Sequence, residues 1–284
     1  MIRGTTRLTA VLGWPVEHSR SPQILNAAFD AAAIDAVMVP LAVEPEQFAC
    51  VVAGLRAARA LGASVTVPHK LAAFSICTEL SPAARAIGAV NCLQLVDDRL
   101  VGHNTDCDGF VDGLVSAGFP LGSLADARVV VLGAGGSARA IAYGLRSAGS
   151  IRVIARRPEA VDWFDIADAT RRVTPWTDST LRSAFSAADL VVDCTPLGLG
   201  GAEEAAFVDA LPLAELPPKA WVASLVYHRP ALVLASARAA GHATVDGRAM
   251  LVHQGARAFT IWTSAPAPVA VMLRALDDAL HSAP

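Results

Sequence analysis

Residues 128–140 read Arg-Val-Val-Val-Leu-Gly-Ala-Gly-Gly-Ser-Ala-Arg-Ala. A β-branched run ends in Gly133-x-Gly135-x-x-Ala138 and passes directly into an alanine-rich helical pattern. That order is what an anion site for a dinucleotide requires. It provides a tight turn, a backbone bare enough to approach a pyrophosphate, and a helix N-terminus whose amides favour negative charge. The same glycines also serve a βα turn that binds nothing, so the next strand matters. Ile151–Ile154 is β-like and runs into Ala155-Arg156-Arg157-Pro158. In NAD sites an acid about 20 residues past the glycines accepts hydrogen bonds from the ribose. Here arginines stand at that distance, and a planar guanidinium suits a 2′-phosphate. The expected ligand is NADP rather than NAD; two solvated arginines after a strand are the alternative.

Four further stretches gather polar groups. Gly13-Trp-Pro-Val-Glu-His-Ser19-Arg-Ser21-Pro22 follows an apparent strand, at the sheet end where open α/β proteins bind ligands. Ser19 and Ser21 suit a carboxylate or a hydroxyl, and Ser21 equally suits helix capping. Gly62-Ala-Ser64-Val-Thr66-Val-Pro68-His-Lys70 presents hydroxyls at a strand end and, after a proline turn, a lysine. Ala89-Val-Asn91 and Gly102-His-Asn-Thr-Asp106-x-x-Gly109 follow. Taken singly, each is compatible with ordinary loop chemistry.

These groups need a scaffold, and helical and strand patterns alternate along most of the chain, the mark of α/β architecture. Strands are expected at 8–12, 37–43, 63–67, 89–96, 100–102, 151–154, 190–194 and 221–226, with a turn at Asp97-Asp98. Helices are expected from a Ser21 cap and Pro22 to about Ala33. Others are expected over 46–61, 70–76, 108–118, 250–262 and 269–281. The stretch 211–219 reads as the loosest. About half the chain precedes the glycine turn, so a separate domain is expected to present a substrate.

Composition narrows the class. Of 284 residues 54% are hydrophobic and 17% charged, which suits parallel sheets covered by helices. A formal charge of −3 gives no reason to expect nucleic acid or an anionic membrane as partner. No apolar run is long enough to span a bilayer, and Gly13, Trp14 and Pro15 interrupt any leader-like stretch. The five cysteines are scattered and odd in number, as in a reduced, cytoplasmic protein. The seven histidines show no metal-ligand spacing, so no metal is expected.

Taken together, the motifs resemble those of the shikimate dehydrogenase family. The resemblance runs almost the full length. It rests on Gly-x-Pro-x-x-His-Ser-x-Ser-Pro-x-x-x-Asn, Val-Thr-x-Pro-x-Lys, Gly-Ala-Val-Asn, Asn-Thr-Asp-x-x-Gly, the Gly-Ala-Gly-Gly turn and Met250-Leu251-Val252-x-Gln254. It implies reversible NADP-linked reduction of 3-dehydroshikimate to shikimate. It also implies a substrate domain over 1–107 plus 247–284, an N-terminal α/β unit completed by C-terminal helices. A Rossmann-type NADP domain over 108–246 is inserted between them. Lys70 and Asp106 would be the catalytic pair. Oxidising a secondary alcohol takes a proton from oxygen as hydride leaves carbon, and a basic group in reach speeds this by about two to four powers of ten. Which of the two moves the proton stays open. The resemblance further assigns Ser19, Ser21, Ser64, Thr66, Asn91, Tyr227 and Gln254 to the substrate. It assigns Gly133, Ala134, Gly135, Gly136, Ser137, Arg156, Arg157, Thr195 and Gly247 to the cofactor. Monomer and homodimer are both compatible.

The chain departs from the family pattern at four residues and in a displaced Pro/Thr pattern after Tyr227. Ser64 replaces an Asn, Ala155 an Asn, Asp193 an Asn and Ser224 an Asp. Two rival readings therefore remain. One is a quinate/shikimate or aminoshikimate dehydrogenase, possibly NAD-linked; the other is a non-catalytic protein that senses NADP or shikimate.

Overall fold

The computed structural model describes residues 2–97, 99–164 and 168–281. The chain forms two compact units, residues 1–109 with 251–284, and residues 110–250.

The first unit starts with β1 (Arg7–Gly13), α1 (Ser21–Ala31), β2 (Ala36–Ala42), α2 (Phe48–Ala57), β3 (Gly62–Val65) and α3 (Lys70–Ile76). It continues with β4 (Glu79–Leu80), α4 (Pro82–Ile87), β5 (Cys92–Val96), β6 (Arg99–His103) and the start of α5 (Asp106–Ser116). The strands form one sheet in the order β2-β1-β3-β5-β6-β4. β1 runs parallel to β2 and β3, and β5 is antiparallel to both β3 and β6. Alternation along β1 divides the core: Val11 joins one cluster, Ala10 and Leu12 the other. Both faces of β1 are thus covered by apolar side chains, which leaves the end of the strand for polar groups.

The second unit holds β7 (Arg128–Leu132), α6 (Gly136–Gly144), β8 (Ser150–Ala155), β9 (Arg171–Pro175), α7 (Asp178–Phe185) and β10 (Leu190–Asp193). It then adds α8 (Glu203–Asp209), β11 (Trp221–Ser224), α9 (Leu232–Ala239) and β12 (Ala243–Val245). α10 (Gly247–Thr263) carries the chain back to the first unit, where α11 (Val269–His281) follows. This sheet is parallel throughout, in the order β12-β11-β10-β7-β8-β9. The order reverses between β7 and β10, the position at which open α/β sheets bind ligands. Val130 and Leu132 of β7 pack on one face, Val129 and Val131 on the other, which explains the unbroken apolar run before Gly133.

Several expectations are corrected. Helices α5 and α10 run on through both crossings, so the units divide inside them rather than at 107/108 and 246/247. The helix expected over 46–61 begins at Phe48 after a 3₁₀ turn and stops at Ala57. Arg59, at φ +55°, reverses the chain there so that Leu61 can lead into β3. Ser21 is the first residue of α1, not its cap: Arg20 holds that position and no side chain caps the helix. The stretch 211–219 is not loose, because Leu211, Leu213 and Leu216 are buried in the second unit's core. Asp97, at φ +50°, makes the expected turn, while Asp98 lies outside the described residues.

Candidate active site

In the first unit the polar stretches converge at the C-terminal ends of β1 and β3. The Thr66 amide donates to Leu12 O at 2.9 Å, the Trp14 amide to Val67 O at 3.1 Å, and the Val65 amide to Asn91 O at 2.7 Å. Ser64, Thr66 and Asn91 are thereby brought together. The hydroxyls of Ser64 and Thr66 engage no partner among the described residues, which leaves them available to a ligand. Ser19 and Ser21 follow the end of β1. The Ser21 amide donates to Ser19 Oγ at 3.4 Å, and the Ser21 hydroxyl is buried and not used in capping.

Lys70 opens α3 and Asp106 opens α5, so two helix starts supply the pair. A carboxylate is favoured at that end and a cation is not, so the lysine relies on its partner. Lys70 Nζ donates to Asp106 Oδ2 at 2.6 Å. Asp106 is only 8% exposed, which removes this contact from the class of solvated surface ion pairs. Its other oxygen accepts from Asn91 Nδ2 at 2.8 Å. Asn91 Oδ1 in turn accepts from the Thr105 amide at 2.7 Å, and Asn91 Nδ2 also reaches Thr105 Oγ1 at 3.0 Å. Gln254 Oε1 lies 3.5 Å from both Asn91 Nδ2 and Thr105 Oγ1. It can come that close because Gly109 has no side chain. A Cβ there would sit 2.6 Å from the backbone nitrogen of Gln254.

The backbone on either side of the pair is pinned. His69 is 1% exposed, and its ring stacks on Phe48 at 4.7 Å. His69 Nε2 lies 2.7 Å from Val43 O, which can only accept, so that nitrogen carries the proton. Lys70 O accepts from the Val90 amide at 3.0 Å. Asn104 Nδ2 donates to Ala89 O at 3.1 Å, while its Oδ1 accepts from the Asp106 amide at 3.2 Å. An alcohol placed against this ammonium–carboxylate pair meets both a donor and an acceptor.

The second unit holds a different kind of site. Where the strand order reverses, a cavity of about 700 Å³ is lined by Gly133, Gly135, Arg156, Arg157, Thr195 and Trp176, among others. Gly133 has φ +94°, a conformation other residues rarely adopt, and even a Cβ would lie 3.3 Å from Cys194 O. α6 begins at Gly136 with no side-chain cap, so its first amides, including that of exposed Ser137, are open. Arg156 and Arg157 are exposed on the cavity wall and have no partner among the described residues. The residues present thus offer open amides for a pyrophosphate and guanidinium groups for a further phosphate. Thr195 donates through both its amide (2.9 Å) and its hydroxyl (2.7 Å) to Asp193 Oδ1. Tyr227 lies beyond β11, half-buried and edge-on to His228. Gly247 opens α10, and a Cβ there would collide with Leu225 O, so close packing alone calls for glycine.

Comparison with known proteins agrees with this geometry. Residues 11–93 match the shikimate dehydrogenase substrate binding domain, and residues 247–276 the shikimate 5′-dehydrogenase C-terminal domain. A shikimate dehydrogenase (NADP(+)) of Moorella thermoacetica is 41% identical over 290 residues, covering 98% of this chain and 95% of that protein. The chain belongs to the shikimate dehydrogenase family. Among solved structures, a shikimate dehydrogenase in complex with NADP+ matches at TM-score 0.87 and 30% identity, covering 99% of this chain and 98% of the other. The Thermus thermophilus enzyme in complex with NADP(H) and shikimate matches at 0.82 and 33%, covering 96% and 100%.

Within the shikimate dehydrogenase frame, the four departures have different settings. Ser64 leaves an uncommitted hydroxyl, while Ala155 is buried on the cavity wall. Ser224 Oγ accepts from the Val226 amide at 3.4 Å. Asp193 turns its carboxylate back to Thr195 rather than into the cavity. Sequence reasoning did not single out Thr105, Asn104 or His69, although each lies inside a quoted motif; their burial is what reveals them. Trp176, Phe207 and Ala206 on the cavity wall were missed as well, because neither β9, which ends just before Trp176, nor α8, which carries the other two, had been expected.

Proposed function

We propose that this chain is an NADP-linked shikimate dehydrogenase that interconverts 3-dehydroshikimate and shikimate. The observation that carries this reading is the Lys70–Asp106 pair, 2.6 Å apart, with Asn91 holding the second oxygen of the carboxylate. NADP supplies or accepts the hydride when bound. The protein's own part is to bind, orient and move a proton. Lys70 and Asp106 contact the reacting oxygen and exchange its proton, and their mutual hydrogen bond fixes both groups before substrate arrives. Ser19 and Ser21 hold the substrate carboxylate. Ser64, Thr66 and Gln254 meet its ring hydroxyls, and Tyr227 is assigned to the substrate as well. Asn91 is assigned chiefly to orienting Asp106, since both of its amide atoms are already committed.

Residues 1–109 with 251–284 take the role of substrate domain and residues 110–250 that of cofactor domain. Gly133, Ala134, Gly135, Gly136 and Ser137 bind the pyrophosphate, and Arg156 and Arg157 the 2′-phosphate. Thr195, which lines the same cavity, and Gly247 are assigned to the cofactor as well. The test is to mix protein with shikimate and NADP+ and follow reduced nicotinamide by absorbance, with quinate and NAD+ as alternatives. Turnover with shikimate and NADP+ that vanishes in Lys70→Ala is expected. Preference for quinate would move attention to Ser64, and preference for NAD+ would discount Arg156.

A further inference from the structure

Asp193 ends β10, the strand beside the sheet's reversal point, and is 2% exposed. Its two oxygens have unequal settings. Oδ1 accepts two hydrogen bonds from Thr195, while Oδ2 is buried with no partner among the described residues. A bare carboxylate oxygen sealed from water is costly, and protonation of that oxygen removes the charge. The residue is coupled to the cofactor cavity through its neighbours. Cys194 and Thr195 line the cavity, and their backbone and methyl group lie against Gly133 of the phosphate turn.

We propose that Asp193 is a positioning residue for the cofactor that works in its neutral form. It clamps Thr195 by accepting both of its donors, and its ionisation places a negative charge behind the wall that faces the dinucleotide phosphates. With amide and hydroxyl turned inward, Thr195 presents only acceptor lone pairs to the cavity, and the wall beside Gly133 is held in one position. The inference rests on the NADP reading of this cavity.

The surroundings support it. Burial raises the Asp193 carboxyl above its ordinary value by more than the two hydrogen bonds from Thr195 lower it, and the charge of Glu204 on α8 also raises it. Glu204 is itself paired with Arg229 at 2.7 Å. The adjoining Cys194 thiol is held well above its usual value by burial. The strand neighbours in register, Leu132 on β7 and Ser224 on β11, carry no charge.

The test measures NADP+ affinity by calorimetry from about pH 4, the ordinary carboxyl value, up to about pH 9. It compares the unaltered protein with Asp193→Asn and Asp193→Ala. Asn keeps the Oδ1 acceptor without a titrating group. The cofactor's own 2′-phosphate titrates near pH 6 for all three proteins, so the ratio of affinities isolates Asp193. The Asn variant is expected to bind increasingly better than the unaltered protein as pH rises. The gap should reach about fourfold, the size of the interaction between two unit charges at about 5 Å under water-like screening. Asp193→Ala, which also lacks the charge, should bind about tenfold more weakly than Asp193→Asn at every pH, the loss of roughly one clamp's worth of hydrogen bonding. Shikimate affinity should not change in either variant. A pH-independent ratio between the unaltered protein and Asp193→Asn overturns the ionisation claim, and binding by Asp193→Ala as tight as by Asp193→Asn overturns the clamp. Absence of NADP+ binding by the unaltered, folded protein at every pH would instead remove the NADP reading and this inference with it.

Discussion

In the first unit Lys70, Asp106, Asn91 and Thr105 direct their hydrogen bonds to one another. In the second, Arg156, Arg157 and the first amides of α6 meet no partner among the described residues. On the proposed assignment, one site is wired before a ligand arrives, and the other is completed by one. The contrast follows from what each must do. Proton transfer depends on angles and distances set to fractions of an ångström, so its groups must be locked by neighbours. Holding an anion requires donors left unsatisfied until phosphate oxygens accept from them. A wired site loses rate when one link is cut, whereas an open site loses affinity for one part of one ligand.

Substitutions can break or sharpen this contrast. Lys70→Ala should lower kcat by about 10²- to 10⁴-fold while NADP+ affinity, measured by calorimetry, stays the same. A parallel loss of NADP+ binding would show that the two sites are not separable. Arg156→Ala should weaken NADP+ binding by about 10- to 100-fold, the worth of a charge-assisted hydrogen bond, and leave NAD+ binding nearly untouched. Equal losses for both cofactors would remove the 2′-phosphate assignment. Asn91→Ser, which frees one oxygen of Asp106, should cost about tenfold in kcat with a smaller change in KM. An effect confined to KM would return Asn91 to direct substrate contact.

Stability gives the smallest effect and a definite sign. The Asp193 carboxyl is raised in the folded state, so its contribution is fully present below the ordinary carboxyl value and is lost as pH rises through the raised one. Asp193→Asn should therefore raise Tm by on the order of a few degrees at mildly alkaline pH and by less as pH falls. A gain that grows toward acid would reverse the assignment.

Legibility differed between regions for physical reasons. The glycine turn at 133–137 and the strand before it could be read because turn geometry and two-sided burial act on adjacent residues. β9, α7 and α8 escaped notice. β9 begins with two arginines, ends at Pro175 and lies at the sheet edge, where no continuous apolar run is needed. α7 and α8 are short, and their apolar residues are too few to establish a period. Ser21 misled because a serine before proline looks like a cap. The helix starts one residue earlier than that reading allows, and the hydroxyl is left buried beside the Ser19 loop.

By itself the sequence determined the α/β class, the glycine turn at 133–136, the arginines about 20 residues past it and the motifs that contain Lys70 and Asp106. These depend on backbone freedom, period and spacing, which are local. Only the tertiary structure decided that Lys70 meets Asp106 from 36 positions away, that Asn91 holds that carboxylate rather than standing free, and that one Asp193 oxygen is sealed without a partner among the described residues. Such facts are fixed where distant segments pack at a sheet's end, and no local pattern encodes which donor will find which acceptor there.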